Sequence, residues 1–251
     1  QIRQDAVDLS IDMSGHTKEN RLMSFAHKPA PAQISWIGYF DTTGLGAMDY
    51  IIGDRFVTPP QEERHFTEKV VRLPDIYLCF APPNTVIEPA SLPALKAGKV
   101  TFGCFNNPAK VNEAVIACWS KLLHALPGAQ LYLKYKPFDD AGVRRRYLGL
   151  FAQHGIAAQR IRFAGQSPRD QYHAAYQEVD IGLDPFPFNG CTNTVEALWM
   201  GVPVISLRGD RYACHMGESI LTNVGLGEFV AENEDAYIAK AIAVAGDLPR
   251  L

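Results

Sequence analysis

Between residues 100 and 245 the chain alternates short, almost wholly apolar segments with longer amphipathic ones. The apolar segments are typical of buried β-strands, and the amphipathic ones show the periodicity of helices. Regular βα alternation with strands that are apolar along their length is typical of a parallel sheet covered by helices on both faces. The sequence therefore predicts a doubly wound α/β domain, with a ligand site at the carboxyl ends of its strands.

The same periodicities predict the individual elements. In the second half of the chain, strands are expected at residues 100–105, 130–134, 161–164, 180–184 and 202–207. Helices are expected at residues 112–126, 142–154, 168–177, 192–200, 212–223 and 234–245. The first 80 residues show a weaker form of this order, with strands expected at residues 6–12, 33–39 and 48–52 and a helix at 18–27. Residues 64–73 fit either a helix or a strand.

A proline-rich segment separates the two halves. Four prolines lie within residues 81–95, which neither a helix nor a central strand accommodates easily. We therefore expect a domain at residues 1–80, a linker at 81–99 and a second domain at 100–251. The chain opens inside what resembles a βα unit, so we expect the first domain to be truncated at its N-terminus and the chain to be a piece of a longer protein.

Composition argues against several classes of protein. The formal charge of -3 and the scattered Lys and Arg residues argue against a nucleic-acid partner. The longest apolar stretches fall well short of the roughly 18 to 20 residues that a membrane span requires, and no signal-peptide pattern is visible. The five cysteines occur singly, without the spacing of a zinc site. We therefore expect a cytoplasmic protein that does not cross a membrane.

The common nucleotide and hydrolase motifs are missing from the sequence. Neither half opens with the GxGxxG fingerprint of dinucleotide-binding domains, and the P-loop pattern GxxxxGK[ST] is absent. The HExxH pattern of zinc proteases and the GxSxG elbow of hydrolases are absent too. A dehydrogenase of the Rossmann type is therefore disfavoured.

The segment Asp184–Glu196 is the first candidate site. It runs from the end of an expected strand through a loop with Pro and Gly into the start of a helix. Thr192 and Asn193 would lie at the helix N-terminus, where free backbone N–H groups and the helix dipole bind phosphate. Glu196, about one turn later, is placed to accept hydrogen bonds from the paired hydroxyls of a ribose. The same residues also fit a capping box between Asn193 and Glu196, which would be purely structural.

The second candidate site lies within residues 100–110. Here an expected strand ends in the polar residues Asn106 and Asn107, and Lys110 follows before the next helix. A lysine in this position can neutralise a diphosphate. A solvated surface lysine is the structural alternative.

Four segments together resemble a known family. They are SGHTKENRLMSFAHKPAPAQISWIGY, FGCFNNPAKV, FAGQSPRDQY and DIGLDPFPFNGCTNTVEALWMGVPV. From about Asp8 to Leu251 the chain is similar to the catalytic region of the protein O-linked N-acetylglucosamine transferases of glycosyltransferase family 41, especially bacterial members. The resemblance implies a GT-B fold with two Rossmann-like lobes, and transfer of N-acetylglucosamine from UDP-N-acetylglucosamine to Ser or Thr hydroxyls of proteins with inversion. It also implies tetratricopeptide repeats upstream.

The resemblance implies donor-binding roles in both lobes. Lys110 matches a lysine that contacts the UDP phosphates, Tyr172 a residue that packs on uracil, and Glu196 an acidic residue on the ribose. The other implied donor contacts are Asn107 beside the nucleotide, Ser167 and Arg169 in the base pocket, Cys191, Thr192 and Asn193 at the phosphate-binding helix start, and Ile37 and Gly38 in the loop that faces the sugar.

The resemblance implies a catalytic role for Lys110, which would stabilise the leaving UDP, and His16 is the second catalytic candidate because of its position in the first lobe. The histidine proposed as base in the family lies in an HPxxH-like segment that this chain does not contain. His16 is the histidine near the expected cleft of the first lobe, where it fits an acceptor-side contact or a polar residue at a helix entry. Phe40 and Asp41 replace the usual Pro-Gly of the sugar loop, a departure that affects the sugar pocket.

No metal or other cofactor is expected. The aspartates lack a DxD-type arrangement, since Asp139 and Asp140 are adjacent while Asp180 and Asp184 flank an expected strand. Two alternatives to N-acetylglucosamine transfer remain open. One is transfer of another sugar, glucose or fucose, from a nucleotide donor, and the other is a non-catalytic module that binds a nucleotide sugar.

Overall fold

The computed structural model describes residues 1–82 and 87–251, which form two α/β lobes with separate parallel sheets. The sheet of the first lobe contains β1 (Leu9–Asp12), β2 (Ala32–Ser35), β3 (Tyr50–Gly53) and β4 (Lys69–Arg72), side by side in chain order. Helix α1 (Leu22–Ala26) connects β1 to β2, and a 3-10 helix (Pro60–His65) precedes β4.

The sheet of the second lobe is larger. In the described part of the chain it contains β5 (Thr101–Cys104), β6 (Gln130–Lys134), β7 (Ile161–Ala164), β8 (Ile181–Leu183), β9 (Val204–Leu207) and β10 (Val230–Ala231). All the pairs are parallel, and the spatial order is β10-β9-β8-β5-β6-β7. The chain builds outward from β5 through β6 to β7 and then returns to the other side of β5 with β8. The strand order thus reverses between β5 and β8, where open α/β sheets bind their ligands.

Helices connect and cover these strands. They are α2 (Pro93–Ala97), α3 (Glu113–Ala125), α4 (Ala141–Gln153), α5 (Arg169–Ala174), α6 (Thr192–Trp199), α7 (Tyr212–Asn223) and α8 (Glu234–Ala245). Several begin at a polar side chain that accepts from the first turn. Asn112 accepts from the Val115 N–H at 3.0 Å at the start of α3, and Asn233 caps α8 in the same way. Local sequence therefore fixes these helix starts.

The main hydrophobic core lies between the second sheet and its helices. Its largest fully buried side chains include Trp119 on α3 and Phe102 and Leu131 on the neighbouring strands β5 and β6. The Trp119 indole N–H donates to the Tyr237 hydroxyl at 3.2 Å, which joins α3 to α8 inside this core. Among the described residues, no helix has the length and apolar character needed to cross a membrane.

The first lobe departs most from the expected elements. The helix expected at 18–27 is confined to Leu22–Ala26, and the strand expected at 33–39 ends at Ser35. After Ser35 the Trp36 indole N–H donates to the Tyr77 carbonyl at 2.9 Å, and Ile37 adopts a positive φ of 65° that turns the chain out of the sheet. Of the two alternatives for 64–73, the strand is the correct one for the four residues of β4.

The expected linker contains a helix. Helix α2 begins at Pro93, where the missing N–H of proline has no intrahelical role, and the Ala94 N–H donates to the buried Asp180 carboxylate at 2.8 Å. The end of the linker therefore packs on the second lobe. Residues 83–86 of this segment lie outside the described residues, and the domain boundaries at 80 and 100 stay predictions. The short strand β10 was not expected, because two residues show no periodicity.

Candidate functional site

The candidate site is a crevice at the reversal point between β5 and β8. The loop after β5 ends in a 3-10 turn (Pro108–Lys110), and the loop after β8 leads into α6. The Lys110 ammonium group crosses between these loops and donates to the Asn189 carbonyl at 2.7 Å. A cation is thus fixed at the place where the fold class binds anionic ligands.

Lys110 is only partly exposed, and its surroundings are mixed. Its Nζ lies 3.7 Å from the centre of the Phe188 ring, a cation–π contact. Burial lowers the pKa of Lys110, and the nearby Asp184 carboxylate opposes that effect. The ammonium group is therefore poorly hydrated, and an incoming phosphate would meet a stronger field than at an exposed lysine.

Asp184, at the end of β8, anchors the loop that presents the Asn189 carbonyl. Its carboxylate is buried and accepts from the Gly190 N–H at 2.5 Å and the Ser206 hydroxyl at 2.6 Å. Burial raises the pKa of Asp184 to about 7. Gly190 has no room for a side chain, since an added Cβ would collide with Thr194 and Asp184. The loop is therefore closely packed, and Lys110 is held against a fixed carbonyl.

The start of α6 faces this crevice. In the described residues the preceding Cys191 makes no side-chain cap, and its carbonyl accepts from the N–H groups of Thr194 and Val195. The N–H groups of Thr192 and Asn193 therefore belong to the helix end that has no intrahelical acceptor. Thr192 is exposed, as a phosphate contact requires. Burial raises the pKa of the Cys191 thiol, so it is present as the neutral thiol.

The capping-box interpretation of Asn193 and Glu196 is wrong. Asn193 lies inside the helix, and its side-chain amide donates to the Phe105 carbonyl at 2.9 Å and to the Tyr172 hydroxyl at 2.8 Å. Glu196 turns toward α5, where its Oε1 lies 3.4 Å from His173 Nε2. Both side chains therefore join α6 to the rest of the expected donor pocket instead of closing their own helix end.

The expected base pocket lies beside α5. Burial and then the Glu196 carboxylate raise the pKa of Tyr172, whose ring packs near that of Phe105 at 5.8 Å. The Ser167 hydroxyl is buried and has no hydrogen-bond partner among the described residues. Arg169 is exposed at the first position of α5. Tyr172 and Ser167 thus flank the same helix start, while the Arg169 side chain points to solvent.

Asn107 has a structural role besides the donor contact that the resemblance implies. Its side-chain oxygen accepts from the Ala109 N–H at 3.1 Å and caps the turn that carries Lys110. The residue is exposed, so its amide nitrogen can still reach a ligand. Asn107 therefore shapes the Lys110 turn whatever else it contacts.

The first lobe presents a strained loop to the cleft. Ile37 is a β-branched residue at positive φ, and the Gly38 N–H donates to the Trp36 carbonyl at 2.8 Å, which makes a three-residue turn. An added Cβ on Gly38 would collide with the Met13 carbonyl of the neighbouring loop. Ile37 and Gly38 therefore form a tight turn whose backbone is closely packed, and their contact with the sugar stays a prediction.

His16 lies in the loop after β1, beside the Ile37 loop. Its Nε2 lies 2.7 Å from the Thr43 carbonyl oxygen, and its ring contacts the edge of Tyr39 at 5.3 Å between centroids. The side chain is otherwise exposed. His16 is therefore fixed at one nitrogen and open at the other.

The two lobes meet with the carboxyl ends of their strands facing each other. Phe40, which follows β2, packs on Phe188 of the second lobe at 4.1 Å between ring centroids. Tyr77 of the first lobe places its hydroxyl 3.4 Å from Cys191 Sγ. The His16 loop and the Lys110 loop consequently border one cleft.

The structure brings most of the predicted donor residues to this cleft. Lys110 lies near Cys191, which directly precedes Thr192 at the start of α6. Asn193 and Glu196 contact Tyr172 and His173 on the α5 side. Sequence reasoning missed three residues of this region. His173 contacts a residue of another helix, the Asn189 carbonyl accepts from Lys110, and the Phe188 ring packs on the Lys110 ammonium group. Contacts of these kinds are not visible in a local sequence pattern. The one available signal was position, because His173 directly follows Tyr172.

Comparisons with known proteins show what the whole chain resembles. The profile of Glycosyl transferase family 41 matches residues 1–81 and 81–251. The probable UDP-N-acetylglucosamine–peptide N-acetylglucosaminyltransferase SPINDLY of Petunia hybrida is 43% identical over 251 residues, which cover 100% of this chain and 27% of that protein. The probable enzyme SEC of Arabidopsis thaliana, whose name states the same activity, is 31% identical over 259 residues, covering 100% of this chain and 26% of its own.

A solved structure of similar fold confirms the two-lobed GT-B architecture predicted from the sequence. The O-GlcNAc transferase of Thermobaculum terrenum, in its K341M mutant, superposes with a TM-score of 0.93 and 37% identity over 99% of this chain and 48% of that one. The present chain spans about a quarter of the length of the curated relatives. These curated relatives are plant proteins, so the comparisons do not assign this chain to the bacterial members. By the match along its whole length, the chain belongs to glycosyl transferase family 41.

Proposed function

We propose that this chain carries the donor-binding cleft of an enzyme that transfers N-acetylglucosamine from UDP-N-acetylglucosamine to Ser or Thr hydroxyls of proteins, with inversion. The observation that carries the proposal is the crevice between β5 and β8, where the Lys110 ammonium group meets the uncapped start of α6. The printed names of the relatives support both the donor and the protein acceptor.

Each side of the crevice would hold a different part of the donor. Lys110 and the N–H groups of Thr192 and Asn193 would bind the diphosphate by charge and by the helix dipole. Tyr172 would pack on the uracil, beside Ser167, and Glu196 would accept from the ribose hydroxyls. Ile37 and Gly38 would face the sugar from the first lobe.

The reaction would be a single displacement at the anomeric carbon. The acceptor oxygen forms a bond to this carbon while the bond to the β-phosphate oxygen breaks and its electron pair leaves with UDP. The charge that develops on the leaving phosphate falls where Lys110 and the α6 N-terminus are already oriented. The acceptor proton would pass to His16. Because a carbonyl only accepts, the hydrogen bond to Thr43 places the imidazole hydrogen on Nε2 and leaves Nδ1 basic.

Three further features of the whole protein belong to this proposal. The displacement needs no metal, since the cation and the helix end supply the positive charge. Tetratricopeptide repeats precede the catalytic region. The protein acts in the cytoplasm, which the five free cysteines support because a reducing compartment keeps thiols unpaired.

Binding of UDP and of uridine to a Lys110→Ala variant tests the donor site. We expect UDP affinity to fall by roughly 1.5 to 3 kcal/mol, because a charge-assisted contact to phosphate is lost, while uridine affinity stays the same. Isothermal titration calorimetry measures both. Lys99→Ala is the matched control, since it removes an equal charge from an exposed residue before β5, away from the crevice. UDP affinity equal to that of the wild type would remove Lys110 from the site.

Transfer of a different sugar is the second candidate, favoured by one contact. Phe40 stands where the family usually has proline, and its packing on Phe188 narrows the side of the crevice next to Lys110. A panel of UDP-N-acetylglucosamine, UDP-glucose and GDP-fucose with a Ser/Thr-rich peptide separates the candidates by mass spectrometry of the product. Transfer only from one of the other donors would replace the first proposal. Tight UDP binding without transfer from any donor would indicate a non-catalytic module.

A further inference from the structure

Two buried side chains on neighbouring helices meet behind the proposed ribose site. His173 on α5 is 1% exposed and Glu196 on α6 is 8% exposed. The distance from His173 Nε2 to Glu196 Oε1 is 3.4 Å, which is long for a hydrogen bond. Contacts of this kind often tighten only when the ligand is bound.

The chemistry of the pair fixes the direction of the contact. An ionised carboxylate only accepts, so the hydrogen between the two groups lies on His173 Nε2. Burying a polar group costs free energy unless it is hydrogen-bonded, and His173 supplies Glu196 with a partner. The Glu196 charge also reaches Tyr172, whose pKa it raises in addition to the effect of burial.

Two neighbouring residues of α5, Tyr172 and His173, contact two residues of α6, Asn193 and Glu196, that are three positions apart. The Tyr172 hydroxyl accepts from the Asn193 amide at 2.8 Å, and His173 faces Glu196 one turn further along. Two contacts of this spacing fix both the rotation of α6 and the Glu196 side chain. The opposite ring nitrogen, His173 Nδ1, is buried and has no partner among the described residues, so the contact with Glu196 is the polar function that the structure gives this ring.

We infer that His173 is a positioning residue for recognition of the donor's ribose. It holds one Glu196 oxygen so that the remaining acceptor positions of the carboxylate face the paired ribose hydroxyls. This inference rests on the proposed function, in which Glu196 binds the ribose.

The test compares UDP with 2′-deoxy-UDP in variants of His173. The variant His173→Phe keeps a ring in the pocket but removes the donor, whereas His173→Gln keeps an amide nitrogen near the place of Nε2. We expect His173→Phe to weaken UDP binding about tenfold and 2′-deoxy-UDP binding much less, so that discrimination between the two ligands shrinks. His173→Gln should restore most of the discrimination. An equal loss for both ligands in His173→Phe would overturn the inference, because a packing role weakens both alike.

If His173→Phe does not fold, a second variant tests the same inference. His173→Asn carries the same amide as His173→Gln but is one methylene shorter, so it does not reach Glu196. Discrimination retained by Gln and lost by Asn supports the positioning role, and equal discrimination in the two variants contradicts it. Thermal unfolding of each variant identifies those that are folded.

Glu196→Gln separates this inference from the proposed function. If Glu196 binds the ribose, this variant reduces discrimination, and His173→Phe has no further effect when it is added to Glu196→Gln. Unchanged discrimination in Glu196→Gln itself would contradict the proposed role of Glu196, and the inference with it. Reduced discrimination in Glu196→Gln together with unchanged discrimination in His173→Phe would overturn the inference alone.

Discussion

The two lobes bury their parallel sheets in different ways. In the second lobe, β5 and β8 are buried at every position, and helices of 12 or 13 residues pack around a continuous apolar core. In the first lobe, β2 and β3 alternate between buried and partly exposed positions, and α1 has five residues. The exposed edge strand β1 even carries apolar side chains at Leu9 and Ile11.

In the first lobe, hydrogen bonds and contacts with the second lobe compensate for the smaller apolar core. Its buried Asp54 carboxylate accepts from the N–H groups of Phe56, Val57 and Tyr77. It also accepts from the Ser219 hydroxyl of α7, in the second lobe, at 2.5 Å. A small apolar cluster is shared in the same place, where Val57 and Tyr77 meet Tyr212 and Met216. The second lobe is thus held mainly by its own apolar burial, and the first lobe by hydrogen bonds and by its contact with the second.

The largest expected effect comes from the core of the second lobe. Trp119→Ala removes a fully buried side chain and should lower the free energy of unfolding by about 3 to 5 kcal/mol. If the first lobe depends on the second, both lose structure at the same lower urea concentration. With Trp199→Phe as background, Trp36 is the remaining tryptophan and its fluorescence reports the first lobe. A Trp36 transition at the wild-type urea concentration would show that the first lobe is independent.

An intermediate effect is expected at the contact between the lobes. Asp54→Asn replaces a charged acceptor by an amide and should destabilise the first lobe by about 2 to 3 kcal/mol, because hydrogen bonds to a charged group are lost. In a Trp119→Phe, Trp199→Phe background, where Trp36 is the remaining tryptophan, we expect its fluorescence to change at a lower urea concentration, while far-UV circular dichroism, dominated by the second lobe, changes less. Ser219→Ala is the control, since it removes one of these bonds and should cost about 1 kcal/mol. Equal shifts of both signals in Asp54→Asn would contradict the division between the lobes.

The smallest effect concerns pH. His215 of α7 lies between Glu62 of the first lobe at 3.0 Å and Glu218 of its own helix at 3.2 Å, and Arg208 pairs with Glu218. Burial lowers the pKa of His215, but the two carboxylates outweigh it, so the net pKa is raised. A raised pKa contributes stability below the unfolded value of about 6.5 and loses it as pH rises through the folded value.

The measurement for His215 is the melting temperature of the wild type and of His215→Gln between pH 5.5 and pH 8.5. We expect the wild type to be more stable than His215→Gln by about 1 kcal/mol in free energy of unfolding near pH 6, and therefore to melt at a higher temperature. This difference declines toward pH 8.5, since the imidazolium ion is needed to donate to both carboxylates. Glu62→Gln should reproduce part of the effect if the contact between the lobes carries it. A difference that is constant across this pH range would exclude the ionic link.

The candidate site was predictable in part. The resemblance and the strand-end logic both indicated Lys110 and the start of α6, and the structure brings these together. The sequence did not decide between a capping box and a ligand-facing Glu196, because both use the same spacing. The contacts that exclude the capping box are distant in sequence, since His173 lies 23 residues from Glu196 and Phe105 lies 88 residues from Asn193. The contact between Glu196 and a ribose stays a prediction.

The amino-acid sequence by itself determined the parallel sheet of the second lobe and its helices. Strands β6 and β7 and helices α7 and α8 have the predicted limits. The apolar run of β6, which is buried at four of its five positions, and the Asn233 cap of α8 are local properties of the chain. Tertiary structure decided where the strands of the first lobe end, since the Trp36 contact with Tyr77 and the Asp54 contact with Ser219 join residues far apart in sequence. It also decided which polar side chains face the cleft, because a hydrogen bond between two elements depends on how they pack and not on the pattern of either one.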